Sequence, residues 1–216
     1  MDTLLIFVKY PTPGKVKTRL GREIGLALAA RFYEQFVEQT IDLAQKASHQ
    51  QKILFFDPEV RRLDFEKMLP SGFELIAQPD GDLGARLKFG FSTSFSAGSK
   101  TVTAIGTDSP TLPLAYLNSS LEKLKLNDAV VGPASDGGYY LIGLSKNEVE
   151  VFSDIEWSSK NVLSTTLARF ATLNLSHVQL PEWYDVDTLE GLEKAAGEDA
   201  SGRLRKMLNE IEFGRA

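Results

Sequence analysis

The chain of 216 residues has no cysteine and only two histidines, His49 and His177. Without thiols there are no disulfides, thiolate zinc centres, iron–sulfur clusters or cysteine nucleophiles. Two histidines far apart in the sequence do not form a multi-histidine metal site, and each is expected at a structural or surface position. Long apolar runs are missing too. No stretch approaches the roughly 18–20 apolar residues of a membrane span. Met1-Asp2-Thr3, ahead of the short run Leu4 to Val8, lacks the basic start and longer core of a secretion signal. A cytoplasmic location is therefore expected. Nor is there an excess of positive charge: 24 basic against 29 acidic residues give −5, which argues against nucleic acid as a partner. Repeats, low-complexity tracts and linkers are absent as well, so residues 1–216 read as a single domain. With 43% hydrophobic and 25% charged residues, the chain is an ordinary globular sequence rather than a disordered or fibrous one.

What is present is an alternation of apolar strands and amphipathic helices. Leu4–Lys9, Lys52–Asp57, Phe73–Ala77, Val102–Gly106, Ala129–Gly132, Tyr139–Leu144 and His177–Leu180 read as strands. Ile24–Ala47, Val60–Leu69, Gly84–Phe95, Leu114–Leu124, Asn161–Leu173, Thr188–Ala196 and Gly202–Ile211 read as helices. Strands that are almost continuously apolar and separated by helices predict a mostly parallel sheet covered on both faces. Ligands of such sheets bind outside the carboxyl ends of the strands, so the loops leaving the strands are the place to look.

The first strand runs into Pro11-Thr12-Pro13-Gly14-Lys15-Val16-Lys17-Thr18-Arg19, with Lys9 and Arg22 flanking. Five basic residues here reverse the sign of an acidic chain. If the loop is extended, Lys15, Lys17 and Arg19 point the same way and suit a phosphate chain. It is not a Walker A loop: position 9 is Lys instead of Gly, and Val16 follows Lys15. A Gly-x-Gly-x-x-Gly dinucleotide fingerprint and a Gly-x-Ser-x-Gly nucleophile elbow are also absent. A solvated basic surface loop is the competing reading.

Asp108 closes the strand Val102–Gly106, and Asp185 and Asp187 share a face of an extended Tyr184–Thr188 segment. A carboxylate facing a phosphate is repelled by about 4 kcal/mol at 4 Å and an effective dielectric of about 20. Magnesium removes that conflict by binding one or two carboxylates together with substrate phosphates. The competing readings are a turn former for Asp108 and a helix cap for Asp187. Asp136-Gly137-Gly138-Tyr139 is either a hairpin turn or a floor beneath a ligand. Gly81–Arg86 opens a helix, either as an anion site or simply with Asp82 as its cap. Trp157 reads as a packing residue or as part of an acceptor wall.

Together, Phe7–Pro11 with Pro13–Leu20, Gly81–Arg86, Gly106–Pro110, Gly132-Pro133 with Asp136–Gly143, Trp157-Ser158 and Asp185–Thr188 resemble a glycosyltransferase-like family formerly of unknown function (DUF2064-like). The resemblance runs from Leu4 to about Ala196. It implies the nucleotide-diphospho-sugar transferase superfamily and its GT-A fold, a three-layer α/β/α sandwich with a mostly parallel sheet. The superfamily includes small nucleotidyltransferases, among them the molybdenum-cofactor and phospholactate guanylyltransferases. There a Gly- and Lys/Arg-containing loop after the first strand holds the nucleotide phosphates. The stretch Phe7–Pro13 departs from the small residues that precede that loop in those enzymes.

By this resemblance Lys17, Arg19 and Asp108 are candidate catalytic residues, and Asp108 and Asp187 are candidate ligands of Mg²⁺ or Mn²⁺. The candidate substrate-binding residues are Lys9, Pro13, Gly14, Lys15, Lys17, Thr18, Arg19, Gly81, Asp82, Arg86, Asp136, Gly137, Gly138 and Tyr139. The implied partners are a nucleotide or nucleotide-sugar and a small-molecule acceptor. Three activities stay open: glycosyl transfer from a nucleotide-sugar; nucleotidyl transfer to a phosphorylated acceptor with release of pyrophosphate; and nucleotide binding without catalysis.

Overall fold

The computed structural model describes residues 1–214, with side chains through residue 210. Seven strands form one sheet in the order β3-β2-β1-β4-β6-β5-β7. The strands are β1 (Asp2–Lys9), β2 (Gln51–Asp57), β3 (Phe73–Ala77), β4 (Thr101–Ile105), β5 (Ala129–Pro133), β6 (Tyr139–Leu144) and β7 (His177–Gln179). Strand β1 pairs in parallel with β2 and β4, β2 with β3, and β5 with β7. Only β6 runs the other way, antiparallel to both β4 and β5.

Alternation along the strands divides the core in two. Leu4, Ile6, Val8, Leu54 and Phe56 face one layer; Leu5, Ile53 and Phe55 face the other. The first layer is covered by α1 (Thr18–Ile24), α2 (Leu26–Lys46), α3 (Arg62–Met68), α5 (Leu114–Leu124), α7 (Leu189–Glu198) and α8 (Arg203–Gly214). The second is covered by α4 (Leu83–Ser96) and α6 (Val162–Thr172). This is the three-layer sandwich that the sequence implied. Among the described residues, no helix is long and apolar enough to cross a membrane.

The first helical region differs from expectation. One helix from Ile24 was predicted, but the chain turns helical at Thr18 and breaks at Gly25, whose φ of +96° caps α1 and starts α2. Leu20 and Ile24 give α1 an apolar face that a Gly- and Lys-rich loop masks in the sequence. Phe32, Tyr33, Phe36, Val37, Ile41 and Ala44 then anchor α2 in the larger core. Each fully buried large side chain contributes roughly 1.5–3 kcal/mol.

Candidate active site

The carboxyl ends of β1 and β4 lie side by side, and three connections draw their loops together. The Lys9 amide donates to the Tyr33 hydroxyl at 3.2 Å, and that hydroxyl shares a 2.7 Å hydrogen bond with Thr107 Oγ1. Burial, then the nearby Asp108 charge, pushes the Tyr33 phenol up to about 12, so it stays a neutral strut between α2 and the two strand ends. On the far side, the Val186 amide donates to the Asp108 carbonyl at 2.9 Å. Asp185 and Asp187 thereby flank Asp108, although they lie more than seventy residues later in the chain. Thr188, rather than Asp187, caps α7 by accepting from the Gly191 amide.

Lys17 sits inside this acidic bracket. Its backbone is left-handed, at φ 45° and ψ 46°, a conformation that costs an L residue about 1–2 kcal/mol. The left-handed turn, with Val16 and Leu20 buried on either side, sends the side chain inward. Lys17 Nζ lies 2.5 Å from Asp108 Oδ1 and 2.9 Å from Asp187 Oδ1, and 5.8 Å from the centre of the Phe36 ring. The lysine side chain is 3% exposed, whereas those of Asp108 and Asp187 are 50% and 42% exposed. Burial is the largest influence and lowers the lysine pKa, but the two carboxylates together hold it above the ordinary lysine value.

This corrects the expectation that Lys15, Lys17 and Arg19 point the same way. The loop is not extended: a turn precedes Lys17, and α1 already contains Thr18 and Arg19. Lys17 is turned into the protein, while Lys9, Lys15, Thr18 and Arg19 stay exposed on the rim. Pro13 and half-buried Gly14 shape the turn beneath them. Among the described residues, the side chains of Lys9, Lys15 and Arg19 have no carboxylate within ion-pair distance.

Beyond Asp108 the edge opens into a cleft lined by Gly106, Asp108, Ser109, Leu112, Tyr139, Tyr140 and Asp185. Ser109 Oγ donates to Asp185 Oδ1 at 2.6 Å. Burial, then Asp108, pushes the Asp185 carboxyl up to about 6, with Ser109 and Lys17 opposing the shift. Because β6 is antiparallel, its amino end meets the carboxyl ends of its neighbours, so the β5–β6 turn belongs to this edge. Asp136-Gly137-Gly138 does form that turn: Asp136 Oδ1 accepts from the Gly138 amide at 2.9 Å. Gly137 has φ +93°, and a Cβ there would lie 2.2 Å from the Lys160 carbonyl oxygen, so no other residue fits without movement.

On the other side of β1, the Gly81–Arg86 segment is committed internally. Asp82 caps α4 by accepting from the Ala85 amide at 2.8 Å. Arg86 donates to Asp57 at 3.0 Å, to Gln78 Oε1 at 2.8 Å and to the Gly81 carbonyl at 3.2 Å. Gln78 in turn donates to the carbonyls of Val8 and Phe55. The indole of Trp157 packs against Gly84 and meets Tyr139 edge to face, which is the packing reading of that residue. Exposed Gly81, with φ +124°, stays at the rim.

Sequence reasoning missed Tyr33, Thr107, Ser109, Asp57 and Gln78 as parts of this edge. Asp57 ends β2, Gln78 follows β3 directly and Ser109 stands beside Asp108, so strand-end position was the usable signal. Tyr33 lies mid-helix and gave none.

Among the described residues, no group of three or more His, Asp or Glu side chains is arranged as a metal cage. Asp108 and Asp187 nevertheless converge on one cation, the Lys17 ammonium, and both remain about half exposed. Two open carboxylates fit a hard divalent ion that takes its remaining ligands from water and substrate phosphates.

The sequence matches the bacterial family described as "uncharacterized protein conserved in bacteria" (DUF2064) over residues 40–159. The fold matches the crystal structure of a "putative nucleotide-diphospho-sugar transferase" from Desulfovibrio desulfuricans G20, with 34% identity and a TM-score of 0.89 over 98% of this chain and 95% of that one. The 4-diphosphocytidyl-2C-methyl-D-erythritol synthase of Anaerococcus prevotii matches at 11% identity and TM-score 0.62, covering 91% of this chain and 95% of that one. Rv0371c of Mycobacterium tuberculosis, crystallised with manganese, matches at 13% identity and TM-score 0.56, covering 89% and 96%. These last two likenesses concern the fold alone. No curated protein matches the sequence. The chain belongs to the DUF2064 family, within the nucleotide-diphospho-sugar transferase superfamily.

Proposed function

We propose that this transferase takes a nucleotide-sugar donor and passes the sugar to a small hydroxylated acceptor. The observation that carries the reading is the change of charge across Asp108. On the loop side stand the exposed cations Lys9, Lys15 and Arg19, suited to a diphosphate. On the cleft side stand Asp185, Ser109 and two tyrosines, with no basic side chain in the lining. A phosphorylated acceptor would meet carboxylates there, whereas a neutral hydroxyl compound would find hydrogen-bond acceptors.

In this reading Lys15 and Arg19 hold the phosphates, with Lys9, Pro13, Gly14 and Thr18 shaping their loop. Gly81 and Asp82 form the base-side wall, with Arg86 bracing it through Asp57 and Gln78, and Asp136, Gly137, Gly138 and Tyr139 the acceptor side. Asp108 and Asp187 would hold Mg²⁺ or Mn²⁺, which when bound supplies Lewis acidity and a template for the phosphates. Lys17 and Arg19 add positive charge where negative charge develops on the leaving diphosphate. Positioning and charge stabilisation then carry the catalysis, with no covalent intermediate on the protein. Nucleotidyl transfer is the second reading, favoured by the density of cations on the loop.

Calorimetric titration with nucleotide-sugars, nucleoside diphosphates and nucleoside triphosphates in Mg²⁺ separates the two. Binding of nucleotide-sugars and diphosphates is expected. Tight binding of triphosphates without nucleotide-sugars would overturn the glycosyl reading.

A further inference from the structure

We infer that Lys17 is a resident counter-ion that competes with the divalent cation for Asp108 and Asp187, so that the free protein holds its own metal site closed. The inference rests on the reading of those two carboxylates as the cation-holding pair.

Three observations carry it. First, the ammonium touches one oxygen of each carboxylate, at 2.5 and 2.9 Å, so a single positive charge already occupies the position between them. Second, the lysine is built for this place. Its side chain is 3% exposed, its backbone is held left-handed, and its ammonium lies 5.8 Å from the Phe36 ring centre. A surface lysine that met the carboxylates by chance would need none of these. Third, the pairing leaves the group overcharged. Asp185 lines the same cleft as Asp108 and adds a third carboxyl to the group. Lys17 is the one cation in contact with Asp108 and Asp187 among the described residues. The cluster is thus still short of positive charge with Lys17 in place.

Two cations cannot both sit against the same carboxylate oxygens without strong mutual repulsion. Ion binding and the lysine pairing are therefore linked: each weakens the other by the same factor. The linkage gives Lys17 two positions, one on the carboxylates in the free protein and one released toward the phosphate rim formed by Lys15 and Arg19. This makes Lys17 a positioning residue in the empty site, and it explains why it differs from its exposed neighbours.

The test uses the whole chain without nucleotide. Mn²⁺ binding is followed by electron paramagnetic resonance for wild type, Lys17→Met and Lys17→Arg. The methionine variant should bind Mn²⁺ on the order of tenfold more tightly than wild type. The arginine variant, which keeps the charge, should stay close to wild type. In a parallel melt, Lys17→Met should lose stability in chelator and regain it in Mg²⁺, while wild type changes little. Equal or weaker Mn²⁺ binding by Lys17→Met overturns the inference, as does an absence of binding in both proteins.

Should Lys17→Met fail to fold, the wild-type lysine ammonium signal observed by nuclear magnetic resonance decides the matter. Mg²⁺ should shift the Lys17 signal, identified by its loss in Lys17→Arg; a signal unmoved by saturating Mg²⁺ refutes the competition. The glycosyl reading fails independently, if nucleotide-sugars do not bind wild type in Mg²⁺ whatever the Lys17 result.

Discussion

Two charged knots sit at the same edge of the sheet, on either side of β1, and they are built on opposite principles. The Arg86 knot is balanced. One guanidinium meets one carboxylate, Asp57, and Gln78 joins both to the carbonyls of Val8 and Phe55. The Lys17 knot is unbalanced, with one ammonium facing two carboxylates and a third close by. A satisfied network rigidifies the strands it ties. An overcharged one keeps an affinity for another cation. On the proposed reading this difference, more than burial, separates a structural ion pair from a functional one, since both cations are largely buried.

The largest effect that can break this comparison is at Asp108. Asp108→Asn keeps the shape but removes a charge, and should lower transferase turnover about a thousandfold. A circular-dichroism melt should stay close to wild type, because the carboxylate is half exposed. Full activity in this variant would strip the unbalanced knot of its function. Mg²⁺-dependent turnover in wild type that is lost in the variant would refute a purely binding role.

A second experiment separates pH effects of the site from those of the fold. His49 lies at the opposite edge of the sheet, 2% exposed, with neither ring nitrogen hydrogen-bonded. Burial, modified by Asp2 and Lys52, lowers its pKa from 6.5 to about 4. The unfolded chain therefore binds a proton at a pH where the native protein does not. Stability is complete above pH 6.5 and is lost as pH falls from 6.5 towards 4, in total by about 3 kcal/mol. Denaturant titrations across that window should show the slope, and His49→Leu should remove it. A slope that persists in His49→Leu would place its origin in one of the knots.

Next in size is Arg86→Ala. Leaving Asp57 and the Gln78 carbonyl without their donor should cost about 1–3 kcal/mol in urea unfolding. Turnover per folded molecule should remain within about threefold of wild type. A deep loss of turnover without loss of stability would reverse the assignment of the balanced knot.

The smallest effects are expected on the rim. Lys15→Ala and Arg19→Ala should each weaken nucleotide-diphosphate binding by roughly three- to tenfold and leave the melting temperature unchanged. If neither weakens binding, the loop is ordinary surface.

Much of this arrangement could be read in the sequence, and the exceptions follow a pattern. Strands β1, β2, β4, β5 and β6 stood out because they are buried on both faces, so that Leu4–Val8 and Ile53–Phe56 are unbroken apolar runs. Asp108 stood out because it follows a predicted strand, and Asp187 because it leads into a predicted helix. The orientation of Lys17 did not, because it depends on one left-handed residue and on the start of α1 at Thr18. Neither leaves a mark in a stretch rich in Gly and Lys. Asp57, Gln78 and Arg86 come from three separate segments, and their partnership exists only once β1, β2 and β3 are aligned. Tyr33 reaches the edge from the middle of α2, where an aromatic at helical spacing looks like any core residue.

The reversed direction of β6 has a consequence for how such a site can diversify. A parallel neighbour would have to return through a crossover helix before contributing to this rim. Here the far wall of the cleft adjoins a hairpin tip, reached by one tight turn between Ala134 and Gly138. The tip is tied on both sides: the Gly137 carbonyl accepts from the Leu163 amide at the start of α6 at 2.9 Å, and the Ser135 amide donates to the Trp183 carbonyl at 3.0 Å. A change in the length of this turn is therefore felt in α6 and in the segment that leads to Asp185, whereas a change of side chain at Ser135 or Asp136 alters the wall of the cleft and leaves those backbone ties in place.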